Sequence, residues 1–176
     1  MRTGIWTALI AGLSIVGSLV FACATPFAAI GALAASRMDR EPGLTLVVAA
    51  WLSNQIVGYG ILGYPRTVES FAWGAAIGLA AVLAFLGARV ATAFAGTRPF
   101  GLASAFLAAF AVYELALYLT GTVLFTSDAA FSIAVVARIL EINLVSFVGL
   151  LGLHWLAVAA SLRLLTAKPT AAAGRP

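Results

Sequence analysis

Five apolar stretches occupy most of the chain, and they restrict its fold more than any other feature. They span residues 5–35, 44–64, 71–88, 102–124 and 129–165. A hydrocarbon core about 30 Å thick takes about 20 residues of α-helix, and a helix satisfies its own backbone hydrogen bonds in lipid. The runs are unbroken and lack the alternation of barrel strands. We therefore predict an all-α, polytopic transmembrane helix bundle with five spanning helices, or six if the last run splits.

The composition indicates that most of this chain is embedded in lipid. Of its 176 residues, 63% are hydrophobic and 9% are charged, whereas soluble domains are about half apolar and about one quarter charged. The net charge is +4, but the ten Lys and Arg residues are spread between the apolar runs. A basic face of the kind that binds nucleic acid is missing from this pattern. We predict the lipid bilayer as the partner, and no nucleic acid.

The basic residues also predict how the chain is oriented. With five spans, seven fall on one side of the membrane: Arg37, Arg40, Arg89, Arg98, Arg163, Lys168 and Arg175. Three fall on the other side: Arg2, Arg66 and Arg138. By the positive-inside rule, the N-terminus is outside and the C-terminus is cytoplasmic, as in a multi-pass protein of a bacterial inner membrane.

The first apolar run has a competing interpretation as a signal peptide. It follows a basic start, and Ala22, Cys23 and Ala24 imitate a cleavage site. Cleavage there would reverse the distribution of positive charge, so we predict an uncleaved first helix that Pro26 bends. Residues 1–166 then form one transmembrane domain, and the Pro-, Ala- and Gly-rich residues 167–176 form a disordered cytoplasmic tail.

The last apolar run is too long for one perpendicular span and contains Arg138 and Glu141. We predict an interfacial segment over residues 129–141 and a spanning helix over residues 142–164. Two short spans, or a re-entrant turn at Gly149 and Gly152, are the alternatives.

Gly74 and Gly78 form a GxxxG spacing in the third run, which lets a neighbouring helix approach closely. We interpret this face as a packing surface within the bundle. The alternative is a contact in a homodimer or a hetero-complex.

Three polar residues fall near the midpoints of their apolar runs: Asn54, Glu114 and His154. Gln55 is beside Asn54, and Tyr118 follows Glu114 by one helical turn. An ionised carboxylate at the centre of a bilayer costs about 2.5–3.5 kcal/mol, so Glu114 must be protonated, paired or wet. These five residues are our candidates for binding a substrate or an ion, with His154 as the natural partner of Glu114. A neutral Glu114 that only holds helices together is the alternative.

Cys23 is a weak candidate metal ligand beside Glu114 and His154, because thiolate, carboxylate and imidazole all bind divalent metals. However, Cys23 falls closer to the cytoplasmic side, and a buried free cysteine is usually a small hydrophobe. The metal and any cofactor stay unknown at this stage.

The chain carries no soluble catalytic motif, so we do not expect an enzyme. The polar layer predicts a transporter or permease for a small solute or cation, with proton coupling as one form. The alternative is a non-catalytic accessory or assembly subunit of a membrane complex.

Overall fold

The computed structural model describes residues 25–95, 99–124 and 128–166. All regular structure in these ranges is helical, and no strand forms there. The elements are α1 (Phe27–Arg37), α2 (Arg40–Gly60), α3 (Val68–Ala95), α4 (Pro99–Val123), a 3-10 helix (Asp128–Phe131) and α5 (Ile133–Thr166). The predicted all-α class is confirmed. Cys23, Arg98 and the predicted tail lie outside the described residues, as do the start of the first run and its cleavage site.

Three of the helices are long and apolar enough to cross a membrane: Val68–Ala95, Phe100–Val123 and Ile133–Ala159. By their length and composition, these helices indicate a membrane protein. The count of five spans stays a prediction, because α1 is described over only 11 residues and α2 begins with Arg40 and Glu41.

Helix α1 forms the centre of the described bundle. Every residue from Phe27 to Ala35 is buried, and α1 contacts each of the other four α-helices. Its small side chains permit this close approach. A Cβ atom added to Gly31 would lie 3.2 Å from the backbone nitrogen of Phe85 in α3. The middle of the described bundle is therefore packed protein.

Successive helices run in opposite directions. Thr25, just before α1, bonds to Asn54 near the end of α2, and Arg89 in α3 bonds to the carbonyl of Met38 at the end of α1. We call the end that carries Arg37, Arg40 and Arg89 the basic end of the bundle. The short segments that contain Gly63 and Phe131 lie at the opposite end. Because Thr25 bonds to Asn54, which lies within α2 and not at its last residue, α1 begins inside the bundle.

Helix α5 differs from its prediction. It is one continuous helix of 34 residues, Ile133–Thr166, which is about 51 Å at about 1.5 Å per residue. Neither a break after Glu141 nor a re-entrant turn at Gly149 and Gly152 is present. The run contains no proline, and isolated glycines weaken a helix without ending it. Arg138 and Glu141 fit within the helix because they pair on its exposed side, with Nη1 and Oε2 2.7 Å apart.

The GxxxG face is filled from within the chain. The Trp51 indole nitrogen donates a hydrogen bond of 2.8 Å to the carbonyl of Gly74. A Cβ atom added to Gly78 would lie 2.6 Å from the same indole ring. This face packs α3 on α2, as we predicted. The alternative contact with a partner at the same glycines would have to displace Trp51.

Candidate functional site

Two asparagines from distant helices meet the first turn of α1. The Thr25 hydroxyl donates a 2.7 Å hydrogen bond to Oδ1 of Asn54, and both side chains are buried. The Ala29 amide donates a 3.1 Å hydrogen bond to Oδ1 of Asn143, which is 2% exposed. The first amides of a helix have no partner within it, and Pro26 at the N-cap provides no side-chain cap. Asn143 in α5 therefore caps α1 across the bundle.

These hydrogen bonds give the cap cluster, which we define as Thr25, Asn54 and Asn143, a packing role. Asn143 also donates from Nδ2 to the Ile139 carbonyl at 3.0 Å, so both ends of its amide are used. Of the predicted site residues, Asn54 belongs to this cluster. Its Oδ1 atom accepts from Thr25, two residues before α1, and holds the entry to the helix in place.

Gln55 faces a different neighbour. A Cβ atom added to Gly74 in α3 would lie 2.5 Å from Oε1 of Gln55, so the Gln55 amide fills the space that the glycine leaves. Adjacent residues on a helix point about 100° apart, which separates these two amides. Asn54 is directed to α1 and Gln55 to α3, and the structure does not bring them into one site.

Glu114 lies on the side of α4 that faces the C-terminal part of the chain. It shares a helix face with Phe110 and Gly121, at spacings of four and seven residues. Phe110 stacks against Phe106, whereas a Cβ atom on Gly121 would lie 2.6 Å from the ring of Phe131. The Glu114 side chain is half-buried, but its Oε1 atom is fully buried and makes no hydrogen bond within the described residues.

Ring contacts fix the relative level of α4 and the C-terminal segment. The Phe106 and Phe147 ring centroids are 5.0 Å apart, and the Tyr118 and Phe131 centroids are 5.5 Å apart. Helix α4 and the C-terminal segment are therefore antiparallel. Glu114 lies between these two contacts. Tyr118, which is 50% exposed, lies nearer the end that holds Phe131.

His154 lies far from Glu114. Starting from the contact between Phe106 and Phe147, Glu114 is eight residues away in one direction and His154 seven residues away in the other. At about 1.5 Å per residue, the two side chains are separated by about 22 Å along the bundle axis. His154 instead lies within electrostatic range of Arg37 at the basic end. The structure does not bring the predicted partners together.

The wrong helix start explains this separation. With a span over residues 142–164, His154 is close to the midpoint, but α5 begins nine residues earlier, at Ile133. Sequence reasoning missed Asn143 because it followed the predicted interfacial segment directly. The signal was present, since Asn143 is a polar residue between Ile142 and Leu144.

Metal binding gains no support from the described side chains. Among residues 25–95, 99–124 and 128–166, no group of three or more His, Cys, Asp or Glu side chains could hold a metal ion. Cys23, the weak candidate ligand, falls outside these ranges.

Comparison with known protein families, curated proteins and solved structures gives no match for this chain. Its membrane location therefore rests on its own helices, and its candidate site rests on Glu114.

Proposed function

We propose that the chain is a five-span protein of a bacterial inner membrane, with its C-terminus in the cytoplasm, and that it is a transporter rather than an enzyme. Its cargo is a proton or a small cation, and Glu114 is the binding group. One observation carries this proposal. Oε1 of Glu114 is buried in a candidate membrane span and has no hydrogen-bond partner among the described residues.

The other buried amides in the same region support this assignment by contrast. Asn54 and Asn143 each accept a hydrogen bond from the segment that begins α1. A carboxyl group that served only to join helices would be expected to use both oxygens in the same way. In hydrocarbon, a carboxylate needs a proton or a cation to offset its charge. An exchangeable proton or cation gives Oε1 of Glu114 the partner that it lacks among the described residues.

The packing of the bundle favours a path along one seam. Helix α1 fills the centre, so a central channel has no room among the described helices. Helix α5 packs more extensively on α1 than on α4. The seam between α4 and α5 carries Glu114, and it is bounded by the ring contacts of Phe106 with Phe147 and of Tyr118 with Phe131. We propose that the cargo reaches Glu114 through this seam.

A flux measurement tests the proposal. The full chain would be reconstituted in liposomes, and uptake would be followed for H⁺, Na⁺, K⁺ and Mg²⁺ under imposed gradients. Glu114→Gln keeps the shape of the side chain but cannot ionise, whereas Glu114→Asp keeps a carboxyl group. Glu141→Gln is the matched control, because that carboxylate is 61% exposed and lies on α5. We expect flux in the wild type and in Glu141→Gln, and its loss in Glu114→Gln with unchanged thermal stability.

Undiminished flux in Glu114→Gln would refute the role of Glu114. Lower stability of Glu114→Gln, without flux of any tested ion in the wild type, would support the second candidate function, an accessory or assembly subunit.

That second candidate has an observation of its own. Over residues 133–159, helix α5 buries mainly one stripe, formed by Ile142, Asn143, Phe147 and Leu150. Its other faces expose large apolar side chains, including Val145, Val148 and Leu156. In a membrane span such a surface meets lipid or the apolar face of another membrane subunit. Native mass measurement in mild detergent distinguishes the two functions, because a subunit is recovered in a hetero-complex.

A further inference from the structure

The Arg37 guanidinium is held in an unusual position at the basic end of the bundle. Arg37 is in the last turn of α1, and its guanidinium carbon lies 5.4 Å from the centre of the Trp155 ring in α5. Its Nε atom is buried and makes no hydrogen bond within the described residues. The attraction between the cation and the ring face favours this position of the guanidinium, and its Nε donor is unused by the described residues.

The charge of this end is not offset by ion pairs within the described chain. Asp39 and Glu41 are close in sequence, yet the ion pair found among the described residues is that of Arg138 with Glu141, in the first turns of α5. Arg89 donates one hydrogen bond to the Met38 carbonyl at 3.1 Å, and Arg40 is exposed. Together with Arg37 they outnumber the two carboxylates of Asp39 and Glu41, so the described residues of this end keep a net positive charge.

A phosphate group has the chemistry that this arrangement can bind. The guanidinium presents its donors in a planar fork that matches two oxygens of a phosphate, and a buried unpaired donor favours binding of an acceptor. Apolar surface adjoins the charge, as Trp155 is 56% exposed and Leu156 is 67% exposed. A ligand with an anionic head and apolar chains would use both surfaces at once.

We propose that Arg37, supported by Trp155, binds the phosphate of an anionic phospholipid at the seam between α1 and α5. Arg40 and Arg89 strengthen the binding through their charge. This inference is independent of the transport role of Glu114. Glu114 is about 22 Å from His154 along the bundle axis, and His154 is the sequence neighbour of Trp155. The two proposals can therefore fail separately.

Lipid binding to the full chain, purified in a neutral detergent, tests this proposal. Native mass spectrometry would compare phosphatidylglycerol with phosphatidylcholine, and thermal unfolding would be followed with the same lipids and with inorganic phosphate. Arg37→Gln removes the charge, and Arg37→Lys keeps the charge but removes the fork. Arg138→Gln is the matched control, because Arg138 is 66% exposed and distant from Trp155.

We expect the wild type and Arg138→Gln to prefer phosphatidylglycerol at least about tenfold, which is the effect of one good charged hydrogen-bond pair. Arg37→Gln is expected to lose this preference, and Arg37→Lys to keep only part of it. If Arg37→Gln does not fold, the result for Arg37→Lys decides.

Three results would overturn the proposal. The first is that the preference survives in both Arg37 variants. The second is that it is lost equally in Arg138→Gln, which would indicate nonspecific attraction. The third is that inorganic phosphate stabilises the wild type as much as the lipid does, and the ligand would then be a soluble phosphate.

Discussion

Replacing Asn143 tests how the bundle holds its central helix. Asn143→Leu keeps the branched shape of the side chain and removes both polar atoms. The Ala29 amide then loses the 3.1 Å hydrogen bond that closes the first turn of α1. Ala29 is 0% exposed in the native structure, so water cannot replace the lost acceptor without rearrangement.

Two estimates bound the loss of stability. A hydrogen bond between membrane helices contributes about 0.6 kcal/mol on average and about 1.7 kcal/mol at most. A buried donor left without an acceptor costs about 1–3 kcal/mol. The second estimate applies more closely, because the variant leaves the amide in place within the core. We expect Asn143→Leu to lower the free energy of unfolding by about 1–2 kcal/mol.

Two measurements check this expectation. Unfolding in mixed micelles with increasing SDS gives the free energy, and amide hydrogen exchange over residues 27–31 reports the first turn of α1 directly. Asn143→Asp is the matched control, since a neutral carboxylic acid keeps an acceptor for the Ala29 amide and a donor for the Ile139 carbonyl. Leu144→Ala, at a position 48% exposed, controls for a change in α5 itself.

We expect the Asp variant to lose less stability than the Leu variant and to keep slow exchange in the first turn. If Asn143→Leu unfolds like the wild type, with unchanged exchange, α5 does not cap α1.

Three further predictions concern packing, and unfolding in mixed micelles measures each of them. Gly78→Ala should lower the free energy of unfolding by about 1–3 kcal/mol, because its Cβ would lie 2.6 Å from an indole ring. Gly149→Ala, with open space, should be neutral or stabilising by about 0.5–1 kcal/mol. Phe85→Ala, at 0% exposure, should cost about 3–5 kcal/mol, but Phe94→Ala, at 89%, about 0.5 kcal/mol or less. Arg138→Ala should cost no more than about 1 kcal/mol, since its ion pair is exposed. Equal losses within either matched pair, or a larger loss for Arg138→Ala, would contradict these expectations.

The helical class could be predicted because it depends on the length of the apolar runs alone. The helix ends could not be predicted in the same way. The third run was placed at residues 71–88, whereas α3 is Val68–Ala95. Hydropathy reports which side chains prefer lipid, but the backbone stays helical through a polar residue that finds a partner. Arg89 lies within α3 and donates to the Met38 carbonyl.

The candidate site depended on the depth of each polar residue in the bundle and on the direction in which its side chain points. The sequence gives only part of this information. Depth was estimated from run midpoints, and the unpredicted start of α5 at Ile133 moved His154 toward the basic end. Direction depends on which neighbour each helix face meets. Asn54 and Gln55 are adjacent in sequence, yet one binds at the start of α1 and the other fills a space beside α3. Single-helix periodicity cannot supply that information, because it does not identify the neighbour.

Polar residues of the helix bundle are better distinguished by their partners than by their depth. Asn54 and Asn143 are more deeply buried than Glu114, and both complete hydrogen bonds of the segment that begins α1. Removing either would take an acceptor away from a buried donor, the Thr25 hydroxyl or the Ala29 amide, so their presence is explained by stability. Oε1 of Glu114 completes no hydrogen bond among the described residues, so the packing that they show does not account for it. A carboxyl group of this kind in a candidate membrane span is the one that we propose to serve a ligand.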